Sequence, residues 1–215
     1  MMLLIYGSGG LGREVYDLAT RINKENQRWS EIAFIDDFRP DSELDGVKVL
    51  KFSDILQLEN TECIVAVGEP NSREKLYQKL KQNNQKIATL IDPSAIVSNS
   101  ATVEEGSIIC AFVLIANKTR ICQNVLVQSF VNVGHDILVG SHSVISSGVF
   151  PGGGDVFGEK VYIGMGATIK EKLTVGDNSI IGMGSYVFQN IPSDVIALGN
   201  PARVMRKNED GKVFK

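Results

Sequence analysis

The sequence predicts an α/β unit followed by an all-β unit: a small Rossmann-like parallel sheet, then a parallel β-helix. Two observations carry this. Up to about residue 86, short apolar runs alternate with amphipathic stretches, the order that builds a parallel sheet flanked by helices. From Ile91 onward the apolar period becomes six, which is neither the 3.6 of a helix nor the 2 of a strand.

The elements follow in order. "LLIY", residues 3–6, reads as a short buried strand. Leu11, Val15, Leu18 and Ile22 lie at helical spacing in "LGREVYDLATRIN". "IAFID", 32–36, is a second strand, "SDILQL", 53–58, one short helix, and "CIVAVG", 63–68, a third strand. "SREKLYQKLKQNN", 72–84, sets Leu76 and Leu80 one turn apart, with charge on the other faces. Then every sixth residue from Ile91 to Val187 is Ile or Val, except Pro151 and Phe157, with no insertion. The residue four further on is usually small or β-branched, as at Ala95, Ala101, Ser107, Val113 and Thr119. Each hexad makes one flat face and three close a triangular coil, so an inward Ile or Val stacks on its counterpart 18 residues later. Glycines and polar residues turn the corners. A β-sandwich would not hold one register over so many repeats. The expected units are 1–86 for the Rossmann-like sheet, 87–192 for the β-helix and 193–215 for a C-terminal tail.

Bulk properties narrow the function. The 215 residues carry a net charge of −3, with no broad basic field for nucleic acid or an anionic membrane. The apolar start has no basic residues before it, so it reads as neither signal nor anchor, and no stretch approaches the ~18–20 apolar residues of a membrane span. The cytoplasm is the expected compartment. Cys63, Cys110 and Cys122 show no CxxC spacing and read as free thiols. Cys110 and Cys122 fall on different faces of the triangle.

"YGSGGLGRE" sets Gly7, Gly9 and Gly12 in GxGxxG spacing between a strand and a helix, the context that the motif needs. Such glycines bring backbone close to phosphate oxygens, and the helix N-terminus supplies N–H donors. Asp36 ends the second strand, where a carboxylate can meet a ribose or base. A dinucleotide dehydrogenase is rejected on size, because about 86 residues supply only one mononucleotide half.

The hexads "IGMGAT", "VGDNSI" and "IGMGSY", followed by "GNPARV", resemble the hexapeptide-repeat acyltransferases. With "GSGGLGRE" and the mid-helix "GHD", essentially the whole chain resembles a narrower group, the bacterial sialic acid O-acetyltransferases and UDP-amino-sugar N-acetyltransferases. That resemblance implies a left-handed β-helix, against the usual right-handed crossover, a homotrimer, acetyl-CoA as donor and a nucleotide-linked sugar as acceptor. It implies substrate contacts at Gly9, Gly10, Asp36, Asp37 and Gly68 beside Gly7 and Gly12, with Leu11 standing where many relatives have a polar residue. It also puts the catalytic base at His135, with Asp136 helping to fix its tautomer.

Read from the residues alone, His135 is the third of its hexad, near a corner and facing outward. It could be a base or a solvated corner residue. Acetyl transfer needs a base to take the acceptor's proton, and imidazole suits that work. Asp136 is adjacent, and neighbours on a strand point apart, so contact between the two is not required by sequence. His142 is read as a solvated corner residue, two positions before Val144, where many relatives carry a second histidine. Gly153, one coil above His135, could open a groove for pantetheine or present an oxyanion donor. Gly164 and Gly182 turn later corners, and Arg203 is a candidate phosphate contact. No metal is expected: a γ-carbonic-anhydrase site needs three histidines and the chain has two. The favoured function is N-acetylation of a nucleotide amino sugar. O-acetylation of sialic acid or another sugar, and a non-catalytic nucleotide-sugar-binding module, are the alternatives.

Overall fold

In the computed structural model, which describes residues 1–39 and 41–214, the chain builds the two expected architectures. The N-terminal sheet contains β1 (Met2–Tyr6), β2 (Glu31–Ile35), β3 (Glu43–Leu44), β4 (Val47–Leu50) and β5 (Thr61–Val65), in the order β3-β4-β2-β1-β5. Helices α1 (Gly10–Asn26), α2 (Phe52–Ile55) and α3 (Pro70–Gln82) join these strands. β1, β2, β4 and β5 run parallel, whereas β3 pairs antiparallel with β4. That hairpin is absent from the sequence reading. Its signal was present in Asp45-Gly46, both with positive φ, which is the dipeptide that favours a tight hairpin turn.

From Leu90–Ile91 to Tyr186–Val187, two-residue strands recur every six residues and pair in register with those 18 residues away, closing a left-handed β-helix. The first face holds Leu90–Ile91, Ile108–Ile109, Leu126–Val127, Val144–Ile145, Tyr162–Ile163 and Ile180–Ile181. The second face runs from Ile96–Val97 through Asn132–Val133 to Tyr186–Val187, and the third from Thr102–Val103 to Thr174–Val175. Inward Ile, Val and Phe157 side chains form one continuous core. Ile91 differs from expectation: it lies at the open end of the stack and is 38% exposed, because no coil lies beneath it. At the other end, 193–215 is more than a tail. Val195–Gly199 pairs parallel with Ile180–Ile181, and Ala202–Lys207 returns antiparallel to it.

The outward residues of the first face join the two units. Leu90, Ile108, Leu126 and Val144 are buried in one apolar cluster with Val15, Leu18, Ile22 and Trp29. Val144 is therefore a packing residue between the units, which accounts for an aliphatic side chain there.

Each corner of the triangle carries a residue in the left-handed region. One corner has Lys118, Asp136, Gly154 and Lys172, and the next has Gly106, Asn124, His142, Lys160 and Asn178. The first of these corners lies between the second and third faces. It is opposite the face on which the N-terminal unit packs.

Candidate active site

His135 stands at that opposite corner, and its side chain is 63% exposed. Asp136 follows in the left-handed conformation, with φ 56°. The turn swings its carboxylate back, so Oδ2 lies 2.7 Å from His135 Nδ1. A carboxylate only accepts, so Nδ1 carries the proton in this pair and Nε2 keeps its lone pair. The corner conformation thus makes a contact that strand geometry alone would not.

The coil above is shaped to the imidazole. A Cβ on Gly153 would lie 2.6 Å from His135 Nε2 and 2.7 Å from Cε1, so the ring rests on bare backbone. The ladder also opens here. Residues at the second hexad position from Cys110 to Gly182 donate their N–H to a carbonyl of the next coil, except Gly134. Its carbonyl accepts from Thr119 Oγ1 at 2.7 Å. Gly164 and Gly182 have a packing reason to be glycine: a Cβ on Gly164 would meet Met183 N at 2.6 Å, and one on Gly182 would strike Leu198. Arg203 lies over the Phe188 ring at 5.0 Å, beside a shallow groove lined by Lys170, Tyr186, Phe188 and Pro201.

The substrate-binding candidates gather at the C-terminal ends of β1, β2 and β5. Gly7 has φ +113°, and a Cβ there would lie 2.8 Å from Ala66 O. Gly12 abuts the Gly7 carbonyl, which lets α1 approach β1 closely. Gly9 and Gly10 face open space, and Gly9 caps α1 without a side-chain partner. The first N–H groups of the helix are therefore available to an anion.

The two aspartates are already engaged. Asp36 accepts from Ser8 Oγ and N and from the N–H groups of Phe38 and Arg39. Burial pushes its carboxyl up, but these bonds outweigh it and hold the group below its ordinary range. Asp37 is likewise pushed up by burial and held low by bonds from Phe52 N, Tyr6 Oη and Lys79 Nζ. Asp36 therefore braces the glycine loop and the turn after β2, whereas Asp37 ties that turn to the end of β1, the start of α2 and α3. A Cβ on Gly68 would lie 3.5 Å from the Phe214 ring, which stacks edge-on to Tyr162. Val213 and Phe214 donate their N–H groups to Glu69, fixing residues 213–214 there.

A pocket of about 460 Å³ joins Gly7, Asp36 and Asp37 to Ser72, Lys75 and Lys79. The sequence reading missed these lysines. Their i, i+4 spacing on one face of α3 was the available signal. It also missed Arg39, whose Nε donates to Ser8 Oγ at 2.8 Å.

His142 is a correction. It is 6% exposed rather than solvated, because α3 packs along its corner. Asn124 Nδ2 lies 2.9 Å from its Nδ1, and the Tyr77 ring meets it edge-on. Among the described residues no three His, Cys, Asp or Glu side chains gather as a metal site, and no helix is long and apolar enough to cross a membrane.

With the geometry in place, four likenesses bear on it. Residues 2–80 match the PglD N-terminal domain family. The acetyltransferase domain of PglB from Neisseria gonorrhoeae FA1090, solved alone and with acetyl coenzyme A, is 30% identical with a TM-score of 0.88; the alignment with the unliganded structure covers 95% of this chain and 99% of that one. PerB from Caulobacter crescentus, solved with CoA and GDP-perosamine, is 25% identical over 96% of this chain and 98% of its own, with a TM-score of 0.77. A 48-residue segment is 44% identical to the UDP-N-acetylbacillosamine N-acetyltransferase of Bacillus subtilis (strain 168), spanning 22% of this chain and 22% of that relative's length.

Proposed function

Because the chain belongs to the hexapeptide-repeat sugar acetyltransferases that include the PglB acetyltransferase domain, we propose that it moves an acetyl group from acetyl-CoA to the amine of a nucleotide-linked amino sugar. The observation that carries the reading is the His135–Asp136 pair resting on Gly153. Asp136 holds Nδ1–H, and Nε2 takes the amine proton as nitrogen attacks the thioester carbonyl carbon. The C–S bond breaks, and the proton passes to the departing CoA sulfur. The Gly153 N–H has no protein acceptor among the described residues and is the candidate donor to the carbonyl oxygen.

Nitrogen is favoured over oxygen by the names of the relatives: one was solved with GDP-perosamine and another is a UDP-N-acetylbacillosamine N-acetyltransferase. The open N-terminus of α1 and the nearby lysines suit a sugar nucleotide's diphosphate better than free sialic acid. In this reading the donor's chain runs up the coils from Gly153 toward Phe188 and Arg203, with Gly164 and Gly182 at the neighbouring corner between the first and second faces. The acceptor's nucleotide lies on the glycine loop. With acetyl-CoA as the donor, we infer a cytoplasmic location.

The reading includes a homotrimer. The N-terminal unit packs on the first face, while His135 stands at the opposite corner, so an acceptor on the loop reaches the base of a neighbouring chain. The faces flanking His135 expose Ile96, Leu114 and Phe150 on one side and Leu138 and Val156 on the other, an apolar surface suited to a second copy.

CoA thiol release from acetyl-CoA, measured against UDP- and GDP-linked amino sugars and free sialic acid, tests the reading. Turnover is expected with a nucleotide amino sugar and should fall at least ~100-fold in His135→Ala, the range for loss of a general base. Undiminished turnover in that variant would remove His135 from the mechanism.

A further inference from the structure

Arg73 is a fully buried cation with no carboxylate partner among the described residues. Its guanidinium donates to carbonyls instead: Nη1 to Val65 O and Val67 O at 3.0 Å, Nε to Asn124 O at 3.1 Å, and Nη2 to Asn124 O and Oδ1 at 2.9 and 3.0 Å. Two of these acceptors belong to the end of β5 and the loop leading to Gly68. The rest belong to a corner of the β-helix. The fork therefore ties the loop to that corner.

The tie extends one coil further. Asn124 Oδ1 is occupied by Arg73, so the Asn124 amide must present Nδ2–H to His142 Nδ1. His142 then accepts at Nδ1 and carries its proton on Nε2. A second proton on the ring would set N–H against N–H. The surroundings do not relieve that conflict. From α3, Arg73, Glu74 and Tyr77 face the ring, and from the coils Lys160 and, through the Tyr77 hydroxyl, Glu105. Glu74 is paired with Lys160 at 3.1 Å, and Glu105 with Lys81 at 2.9 Å. Burial, reinforced by Arg73 and Lys160, holds the His142 imidazole below its ordinary titration range.

We propose that Arg73 is a positioning residue for the acceptor: through Asn124 and a neutral His142 it locks the Gly68 loop and α3 to one corner of the β-helix. The proposal rests on the nucleotide-sugar reading. The same helix supplies Ser72, Lys75 and Lys79 to the pocket beside the glycine loop. A shift of α3 on the corner therefore moves three pocket residues together, and Glu69 with residues 213–214 that it holds.

Two measurements on the full-length protein test the lock and its consequence separately. Amide hydrogen exchange across residues 64–72 reports the lock without any ligand. Calorimetric titration with UDP and with a UDP-linked amino sugar reports the acceptor site without chemistry at His135. Wild type should lose exchange protection as pH falls below 6.5, with nucleotide binding weakening at least tenfold in parallel. His142→Asn should flatten both dependences. Asparagine suits that left-handed corner, as Asn124 and Asn178 show in the same column. Arg73→Lys, which keeps the charge but loses the fork, should weaken nucleotide binding at least tenfold at pH 7.5. Its acetyl-CoA affinity and its acetyl-CoA hydrolysis without acceptor should match wild type. Protection that is independent of pH, or equally dependent in His142→Asn, would overturn the lock. An intact pH-dependent lock in a protein that binds no nucleotide would overturn the acceptor reading, and with it Arg73's role toward an acceptor.

Discussion

At the scale of the residue, the least replaceable atoms near His135 are those missing from Gly153. This glycine is not needed for its backbone, because it lies outside the left-handed region; it is needed for the ring one coil below it. Gly153→Ala should therefore fold normally while its methyl displaces the imidazole by about an ångström, a misplacement that can cost about 100-fold in rate. Steady-state kinetics beside thermal melting would show this, and the loss should not add to that of His135→Ala, since both act on one group. Additive losses would mean that Gly153 serves the donor alone. Sequence spacing placed Gly153 one coil above His135, because 18-residue stacking is a strict geometric rule. It could not supply the Asp136 contact, which depends on the positive φ of a corner residue. It misread His142 because the repeat describes only its own coil and not the helix laid against it. Asp36 and Asp37 were found by position, yet the bonds of Asp36 to the backbone of Ser8, Phe38 and Arg39, and those of Asp37 to Tyr6, Phe52 and Lys79, depend on contacts that no periodicity encodes.

At the scale of the element, each coil is held by its inward side chains, and the fifth hexad position has its own rule. Ser107, Thr119, Ser143 and Ser179 each donate to a carbonyl 13–15 residues on and accept from the N–H of the next coil or its equivalent. Asp155 occupies the same position in the coil of Gly153. Its Oδ1 accepts from Leu173 N at 2.9 Å, but its buried Oδ2 has no partner. Burial raises its carboxyl from an ordinary 3.8 to about 6. An acid raised on folding stabilises the fold below its unfolded value and loses that contribution as pH climbs through the folded value. The loss here falls between about pH 4 and 6 and amounts to roughly 2–3 kcal/mol. Asp155→Asn supplies the missing donor without the charge. It should raise stability by about that amount at pH 8 and by little at pH 4 in denaturant titrations; an unchanged difference between the two pH values would show that Asp155 is not buried as an anion. The hexad register made this element legible in sequence, since one period over so many repeats has few solutions. The shortened last coil was not legible, because it does not repeat, and the β3–β4 hairpin was marked only by its Asp45-Gly46 turn and by no period.

At the scale of the whole molecule, the two units face opposite ways. The glycine loop belongs to the unit seated on the first face of the β-helix, and His135 occupies the far corner, so in the proposed reading one chain holds both halves of the site without joining them. A trimer resolves this if one chain's loop serves its neighbour's histidine, and complementation tests it directly. His135→Ala removes the base but leaves the loop. Gly10→Glu should block the loop instead: Gly10 faces open space, and a carboxylate in the first turn of α1 competes with phosphate for the same N–H groups while favouring the helix. Each variant alone should be nearly inactive. Refolded together, they should regain activity, because some interfaces then pair an intact loop with an intact histidine. The recovered activity should be carried by a species that sediments as three chains. No recovery in mixed trimers would place loop and base within a single chain and would require the N-terminal unit to swing around the β-helix to reach His135.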